Sequence, residues 1–137
     1  MIFFLAGMAF PARVLSSRMK QALVEGSGRA QITLESYSLG NDIVLHIFNA
    51  SAHVGAVAVA EYDSKNERAS VSLITRLGHK DDAIAQKAAY SVCKSTGRTV
   101  CVIAGVHLDD ITSEEIARLV GNADRLVAKF VLSLGSG

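Results

Sequence analysis

The sequence has no tryptophan, one proline and two cysteines, and each scarcity removes a class of protein. Cys93 and Cys101 alone cannot build a disulfide scaffold or a structural zinc ribbon. Their flanks, Ser91-Val92-Cys93 and Val100-Cys101-Val102, are apolar. They predict small buried thiols in a reducing compartment, shielded from metal and from disulfide exchange. A single proline and 11 glycines exclude a proline-rich linker or a collagenous repeat. No sign of charge prevails: 14 basic against 13 acidic side chains give +1. The basic excess of a nucleic-acid binder is missing, and so is the polybasic run of a membrane-surface protein. The first ten residues, MIFFLAGMAF, are almost wholly apolar. They are too short to span a bilayer, which takes about 20 residues, and they lack the basic start of a secretory signal. GxGxxG, P-loop and GxSxG motifs are absent.

What is present is apolar and regular. Half of the 137 residues are hydrophobic and 20% are charged, a balance that folds rather than stays disordered. The length suits one domain with one core. The expected organisation is an N-terminal apolar segment and short helix over 1–29, followed by a single α+β domain over 30–137. The apolar N-terminal stretch needs a cover, on the core or on a partner subunit, which predicts a homo-oligomer. The expectation is a soluble, cytoplasmic protein.

The periodicity changes along the chain. Residues 13–24 place Leu15, Met19, Ala22 and Leu23 on one helical face, which predicts a short helix ended by Gly26-Ser27-Gly28. From Ala30 the period is two, and Ile32 and Leu34 mark a half-buried strand. After the Gly40-Asn41-Asp42 turn, Ile43 to Phe48 is apolar at nearly every residue, as in a strand covered on both faces. Val54 to Tyr62 reads as the next strand, with Ala56, Ala58 and Ala60 on one face. Such small residues let a helix or a ligand come close. Ala69 to Leu77 is another strand after the Asp63-Ser64-Lys65-Asn66 turn, and the short links predict an antiparallel meander. A helix with Ile84, Ala85, Ala88, Ala89 and Val92 follows from Asp81 and stops at Gly97. Arg98 to His107 is a strongly apolar strand, expected parallel to the fourth through this helical crossover. Thr112-Ser113-Glu114-Glu115 is a capping box that opens a helix striped by Ile116, Leu119, Val120, Ala123, Leu126, Val127 and Phe130. The predicted fold is α+β: a mixed five-stranded sheet, an antiparallel meander plus one parallel β-α-β crossover, with two long C-terminal helices.

This topology places unusual residues together. His46 lies inside an apolar strand and reads as structural. His53 begins the third strand, His79 follows the fourth and His107 ends the fifth. In the predicted sheet those three points share one rim, where both long helices also begin. Helix starts offer free N–H groups and partial positive charge, and ligands of α/β sheets collect outside the carboxyl ends of strands. Gly55, Gly78 and Gly105 would allow close backbone approach. A phosphate-bearing ligand fits this rim, with Lys80 and the histidines as donors. The plainer reading makes Gly78 a turn residue and Asp81, Asp109 and Asp110 caps or solvated charge. Two other classes of function stand beside the binding rim. One is a small metal- or phosphate-dependent enzyme using His53, His79 and His107, although their spacing matches no common ligand pattern. The other is a protein assembly factor acting through the apolar N-terminus and an exposed sheet edge.

Three segments carry a further signal. Ala52-His53-Val54-Gly55-Ala56-Val57-Ala58, Thr75-Arg76-Leu77-Gly78-His79-Lys80-Asp81-Asp82, and Ala104-Gly105-Val106-His107-Leu108-Asp109-Asp110-Ile111-Thr112 together resemble the small D-subunit family of aromatic-acid decarboxylases, the LpdD-like prenylated-flavin chaperone domains. The resemblance runs from about Ala30 to Leu132 and leaves the N-terminal 25 residues uncovered. It implies a non-catalytic accessory protein that carries prenylated FMN, or FMN, or helps load it into a large decarboxylase subunit. It also implies a sandwich similar to proteasome-assembly chaperones. The positions that match are His53, Gly55, Gly78, His79, Lys80, Gly105, His107 and Asp109. Which of them would touch a flavin does not follow from the resemblance.

Overall fold

The computed structural model describes residues 19–76 and 81–135. The strands are β1 (Met19–Glu25), β2 (Ile32–Leu39), β3 (Asp42–Phe48), β4 (Ala56–Asp63), β5 (Arg68–Thr75) and β6 (Val100–Gly105). The helices are α1 (Asp82–Thr96) and α2 (Ser113–Gly135), with a short 3-10 turn at Gly28–Ala30. The strands form one mixed sheet in the order β1-β2-β3-β6-β4-β5. Only the β3–β6 pairing is parallel, with Ile43 opposite Val100 and Phe48 opposite Gly105. The α+β class, the mixed sheet with a single parallel pairing and the two long helices are as the sequence predicts.

Two details of the topology differ from expectation. First, the sheet has six strands rather than five, because β1, Met19–Glu25, takes up the second half of the helix expected over residues 13–24. A seven-residue segment is too short to hold a helix by propensity. Here it satisfies its backbone against the edge of β2, where Leu23 pairs with Leu34 and Glu25 with Ile32. Helix α2 clasps the end of this strand. Arg125 and Lys129 both bind the Glu25 carboxylate, and the Lys129 ammonium holds the Glu25 pKa below its usual range. Asn122 Nδ2 donates to the Ala30 carbonyl at 2.8 Å, which pins the turn that follows.

Second, β6 is not parallel-paired to β5. It runs in the same direction but lies between β3 and β4, antiparallel to β4. Its composition explains the position. Val100, Val102 and Ala104 point into the core and Cys101 and Ile103 lie on the opposite face, so both faces and both edges favour an interior place. Strand β5, with Ser70 and Ser72 on its outward face, suits the edge. The β2–β3 and β4–β5 hairpins are as expected, but β3 and β4 are not neighbours.

Both helices cover the same face of the sheet: α1 packs on β4, β5 and β6, and α2 packs on β1, β2 and α1. Ala56, Ala58 and Ala60 are fully buried under α1, whose own buried face begins with Ala85, Ala88 and Ala89. The small-residue face of β4 thus serves close helix packing and is closed to a ligand. The core proper is Ile32, Leu34, Leu45, Ile47, Val92, Val100, Val102 and Leu126, all fully buried. The caps form as predicted. Gly97 ends α1 at φ 67° and donates to the Cys93 carbonyl. Thr112 and Glu115 exchange hydrogen bonds at 3.1 and 3.2 Å to open α2. Cys93 is buried, as expected. Cys101 is not: it is partly exposed on the face opposite the helices. Both thiols are free, and burial raises both pKa values. The apolar segment 1–10 lies outside the described residues. None of the described helices is long and apolar enough to cross a membrane.

His46 is a half-buried strand residue stacked on Phe48, ring centroids 4.2 Å apart. Burial depresses its pKa below 6.5, and the carboxylate of its cross-strand neighbour Glu35 opposes this more weakly. The unfolded chain therefore binds a proton that the folded chain resists, and stability falls as pH drops through 6.5 toward the folded pKa. Denaturant midpoints measured from pH 7.5 to 5.5 should fall for the wild type, and His46→Gln should flatten that slope. An unchanged slope in the variant would assign the effect to another group.

Candidate functional site: a crossover corner at the sheet rim

The rim deduced from the sequence exists, although a different strand pairing builds it. The start of β4 lies beside the end of β5, Ala56 opposite Thr75, and beside the end of β6, Ala56 opposite Ala104. Strand β3 ends there too, since Phe48 faces Gly105. Helices α1 and α2 both start from this edge, after Asp81 and Thr112.

The chain from Asn49 to Gly55 must pass from β3 to β4 over the end of β6. That crossing dictates the local residues. A Cβ on Gly105 would overlap the backbone of His53, so only glycine lets the loop cross at this height. Gly55 is similarly confined: the Asp81 carboxylate occupies the space where its Cβ would stand. Gly55 N–H donates to the Ala104 carbonyl at 2.9 Å, and Arg76 N–H donates to the Gly55 carbonyl at 3.0 Å. Both glycines thus serve internal approach of backbone and carboxylate, where the sequence suggested approach of a ligand.

Two buried polar residues lock the corner. Asn49, 5% exposed, donates from Nδ2 to the His107 carbonyl at 2.7 Å. Its Oδ1 accepts from Ser51 N–H at 3.1 Å and from His107 N–H at 3.3 Å. Asp81, 4% exposed, accepts from Val106 N–H through Oδ1 at 2.9 Å. Its Oδ2 lies 3.5 Å from His53 Nε2. His53 Nδ1 lies 2.7 Å from the Ser51 carbonyl, so both ring nitrogens face oxygen acceptors. The ring is thereby fixed at the corner between the loop and the start of α1.

Two further predicted residues form a surface pair beside this corner. His107 Nε2 lies 3.0 Å from Asp109 Oδ1, with the Asp109 side chain 90% exposed. The remaining predicted residues, Gly78, His79 and Lys80, lie outside the described residues. Among the described residues no group of three or more His, Cys, Asp and Glu side chains is placed to hold a metal ion.

Four residues of this rim were not singled out as site residues by sequence reasoning. Asp81 reads as a cap and Asn49 carries no signal of its own, because nothing local shows that either will be buried. Arg76 and Arg29 supply described cations. Arg76, exposed at the end of β5, donates from Nη1 to the Val54 carbonyl at 2.9 Å. Arg29 reaches across to Glu115 at 2.9 Å and to the Asp109 carbonyl at 2.6 Å. The rim therefore offers His107, Arg76 and the start of α1 to an anionic group. Among the described residues it offers no flat apolar wall, since the alanine face of β4 is buried. A separate groove of about 610 Å³ lies between α1 and α2, lined by Ile84, Lys87, Val120, Val127 and Leu132.

The comparisons with known proteins agree with this architecture. The sequence model of the prenylated flavin chaperone LpdD-like domain matches residues 26–135, and the chain belongs to that family. Among curated proteins nothing matches. Among solved structures, the chain is similar to one from the crystal structure of a chaperone complex for yeast 20S proteasome assembly. The TM-score is 0.55 at 16% identity, covering 85% of this chain and 95% of that one. At this identity the likeness establishes the fold, an α+β sandwich of the proteasome-assembly-chaperone kind.

The corner makes a graded prediction. Gly105→Ala drives a methyl into backbone that cannot move aside, and should cost about 2 kcal/mol or more. Asn49→Ala strands the His107 backbone groups and should cost about 1–3 kcal/mol. Chemical denaturation ranks the two, and amide exchange at His107 should quicken in Asn49→Ala. If both variants match the wild type, the crossover is not held by these contacts.

Proposed function

We propose that this protein is a non-catalytic carrier or loading chaperone for prenylated FMN, or FMN, serving a large aromatic-acid decarboxylase subunit. The observation that carries this reading is the family match, which spans nearly the whole domain including the rim. The proposed contact is between the flavin phosphate and the rim formed by His53, Gly55, Gly78, His79, Lys80, Gly105, His107 and Asp109.

The described geometry supports different roles for the described members of this set. Gly55, Gly105 and His53 build the support, with Asn49 and Asp81, and act by holding the loop. His107, with Asp109 orienting its ring, and Arg76 are the exposed groups able to meet a phosphate. His79 and Lys80, between Arg76 and Asp81 in the chain, are the proposed principal donors together with the amides that open α1. Helix α2 contributes less, because Thr112 and Glu115 already use its first amides. A carrier needs this moderate, exposed kind of grip, since the cofactor must leave for its enzyme.

Native mass spectrometry and titration with FMN and with prenylated FMN test the proposal. Losing one charge-assisted hydrogen bond costs about 1.5–3 kcal/mol, roughly ten- to hundredfold in affinity. Lys80→Ala and His79→Ala should each weaken binding by that factor at unchanged thermal stability. His46→Gln, inside β3 and on the sheet's outward face, should leave affinity unchanged. Binding of neither flavin by the wild type would end the flavin reading. Binding that ignores the rim substitutions would move the site elsewhere.

A further inference from the structure

The helix-covered face of the sheet changes character at the end away from the rim. Leu23, Leu34 and Ile47 form an aliphatic row across β1, β2 and β3. In the next row Gln21 and Ser36 stand against Leu45, and beyond it Ser38 stands opposite Ile43. Positions on a covered face should be apolar, yet here a polar strip runs under the last turns of α2, where Ser133 meets Gln21. The strip lines a cleft of about 350 Å³, with Ile43 and Phe130 buried at its base and Leu134 exposed at its mouth. Ser36 is the anomaly. The residue is 3% exposed, and its Oγ has no hydrogen-bond partner among the described residues. A buried hydroxyl left unbonded is costly, and in a native protein it calls for a reason.

We propose that this cleft binds a small aliphatic monocarboxylate, with its charge on Arg98 and its body against Phe130 and Leu134. Arg98 lines the cleft from the turn between α1 and β6. Its Nε donates to the Asn41 carbonyl at 2.5 Å, which fixes the guanidinium beside the β2–β3 turn and leaves both Nη groups for a ligand. Unlike Arg29, Arg68, Arg118 and Arg125, it meets no carboxylate among the described residues. The forked N–H donors of a guanidinium match a carboxylate. Ser36 and Ser38 add hydroxyls. Gln21 adds its Nε2 amino group, since Ser133 Oγ already donates to its Oε1 at 2.9 Å. Donors therefore prevail, as an anion requires. Three features set the class of anion. One guanidinium balances one negative charge. Both helices end at this end of the sheet, and the partial negative charge of their last carbonyls tells against a doubly charged phosphate. The volume is more than twice the roughly 150 Å³ that encloses benzene, so a body of about six carbons fits together with its carboxylate. The proposal is independent of the flavin reading, because the rim lies at the other end of β3 and β6.

The test is titration of the full chain with hexanoate, hexanamide and inorganic phosphate, followed by calorimetry and by amide chemical shifts. Hexanoate should bind with a dissociation constant of about 1 mM or tighter at low salt, shifting the amides of Ser36, Gly40 and Arg98. Hexanamide, its uncharged counterpart, and phosphate should each bind at least about tenfold more weakly. Arg98→Gln should weaken hexanoate about ten- to hundredfold, as for the loss of a charge-assisted hydrogen bond. Ser36→Ala gives the sharper reading. Removing a hydroxyl that bonds nothing in the protein should leave thermal stability unchanged or raised, while hexanoate affinity falls about fivefold. A serine with a merely structural role would lower stability and leave affinity alone. Lys87→Ala, which removes a cation from the groove between the helices, should leave hexanoate affinity unchanged. Failure of hexanoate to bind overturns the proposal. So does binding left unchanged by Ser36→Ala, which decides the matter even if Arg98→Gln disturbs the β2–β3 turn. Equal affinity for hexanoate and hexanamide overturns the anionic class. FMN affinity should not change in Ser36→Ala, which separates failure here from failure of the flavin reading.

Discussion

The structure depends on one crossing of backbone. The chain leaves β3, passes over the end of β6 and descends as β4, and it can do so only because Gly105 has no side chain under the His53 backbone. The crossing leaves polar groups buried that no sheet ladder can pair. Asn49 and Asp81 meet that need, taking the amides of His107 and Val106 and closing the gap beneath Gly55. The described part of the rim stands on this corner: His53 is clamped by it, His107 follows it directly, and α1 starts from Asp81. A carboxylate buried to 4% exposure is costly unless it is bonded, so Asp81 is held as firmly as it holds.

The energetic character of the two sheet faces sets a second constraint. The helix-covered face is filled by side chains that are fully buried, and its small residues on β4 let α1 come close. The outward face repeats the aliphatic pattern, and among the described residues no helix lies over it. A strand such as β6, apolar at every position, belongs between two neighbours and under two layers. The protomer supplies the neighbours and one of the layers. The family match and the fold likeness agree on this two-layer arrangement of one mixed sheet and two helices.

The pairing of strands shows how one rim can emerge from two different sheets. Reading β6 as parallel to a neighbouring β5 had the direction right and the adjacency wrong, because β4 lies between them. The ends of two strands running the same way reach the same edge whether or not they touch. His53, the end of β5 and His107 therefore share a rim under either topology. The glycines fared differently. Their positions at the rim were legible, but their purpose was not, since only packing shows that Asp81 and the His53 backbone fill the spaces they leave. The helical reading of residues 13–24 failed at β1 for a related reason. Leu23 and Ala22 suit either period, and the free edge of β2 decided between them.

Local chemistry was settled by the sequence. The Thr112–Glu115 box, the Gly97 stop, the Gly40-Asn41 turn and the alternation of β2 each arise from residues close together in the chain, where backbone geometry and capping leave few choices. The class of fold followed from the order of those elements, and the family from the motifs strung along them. Tertiary structure alone decided which strand lies between which, that Asn49 and Asp81 are buried, that Cys101 faces outward while Cys93 is enclosed, and that both described helices lie on one face of the sheet. Those outcomes depend on contacts between residues up to about a hundred positions apart, such as Glu25 with Arg125. Their energies are shared across the whole core, and no window of sequence contains them.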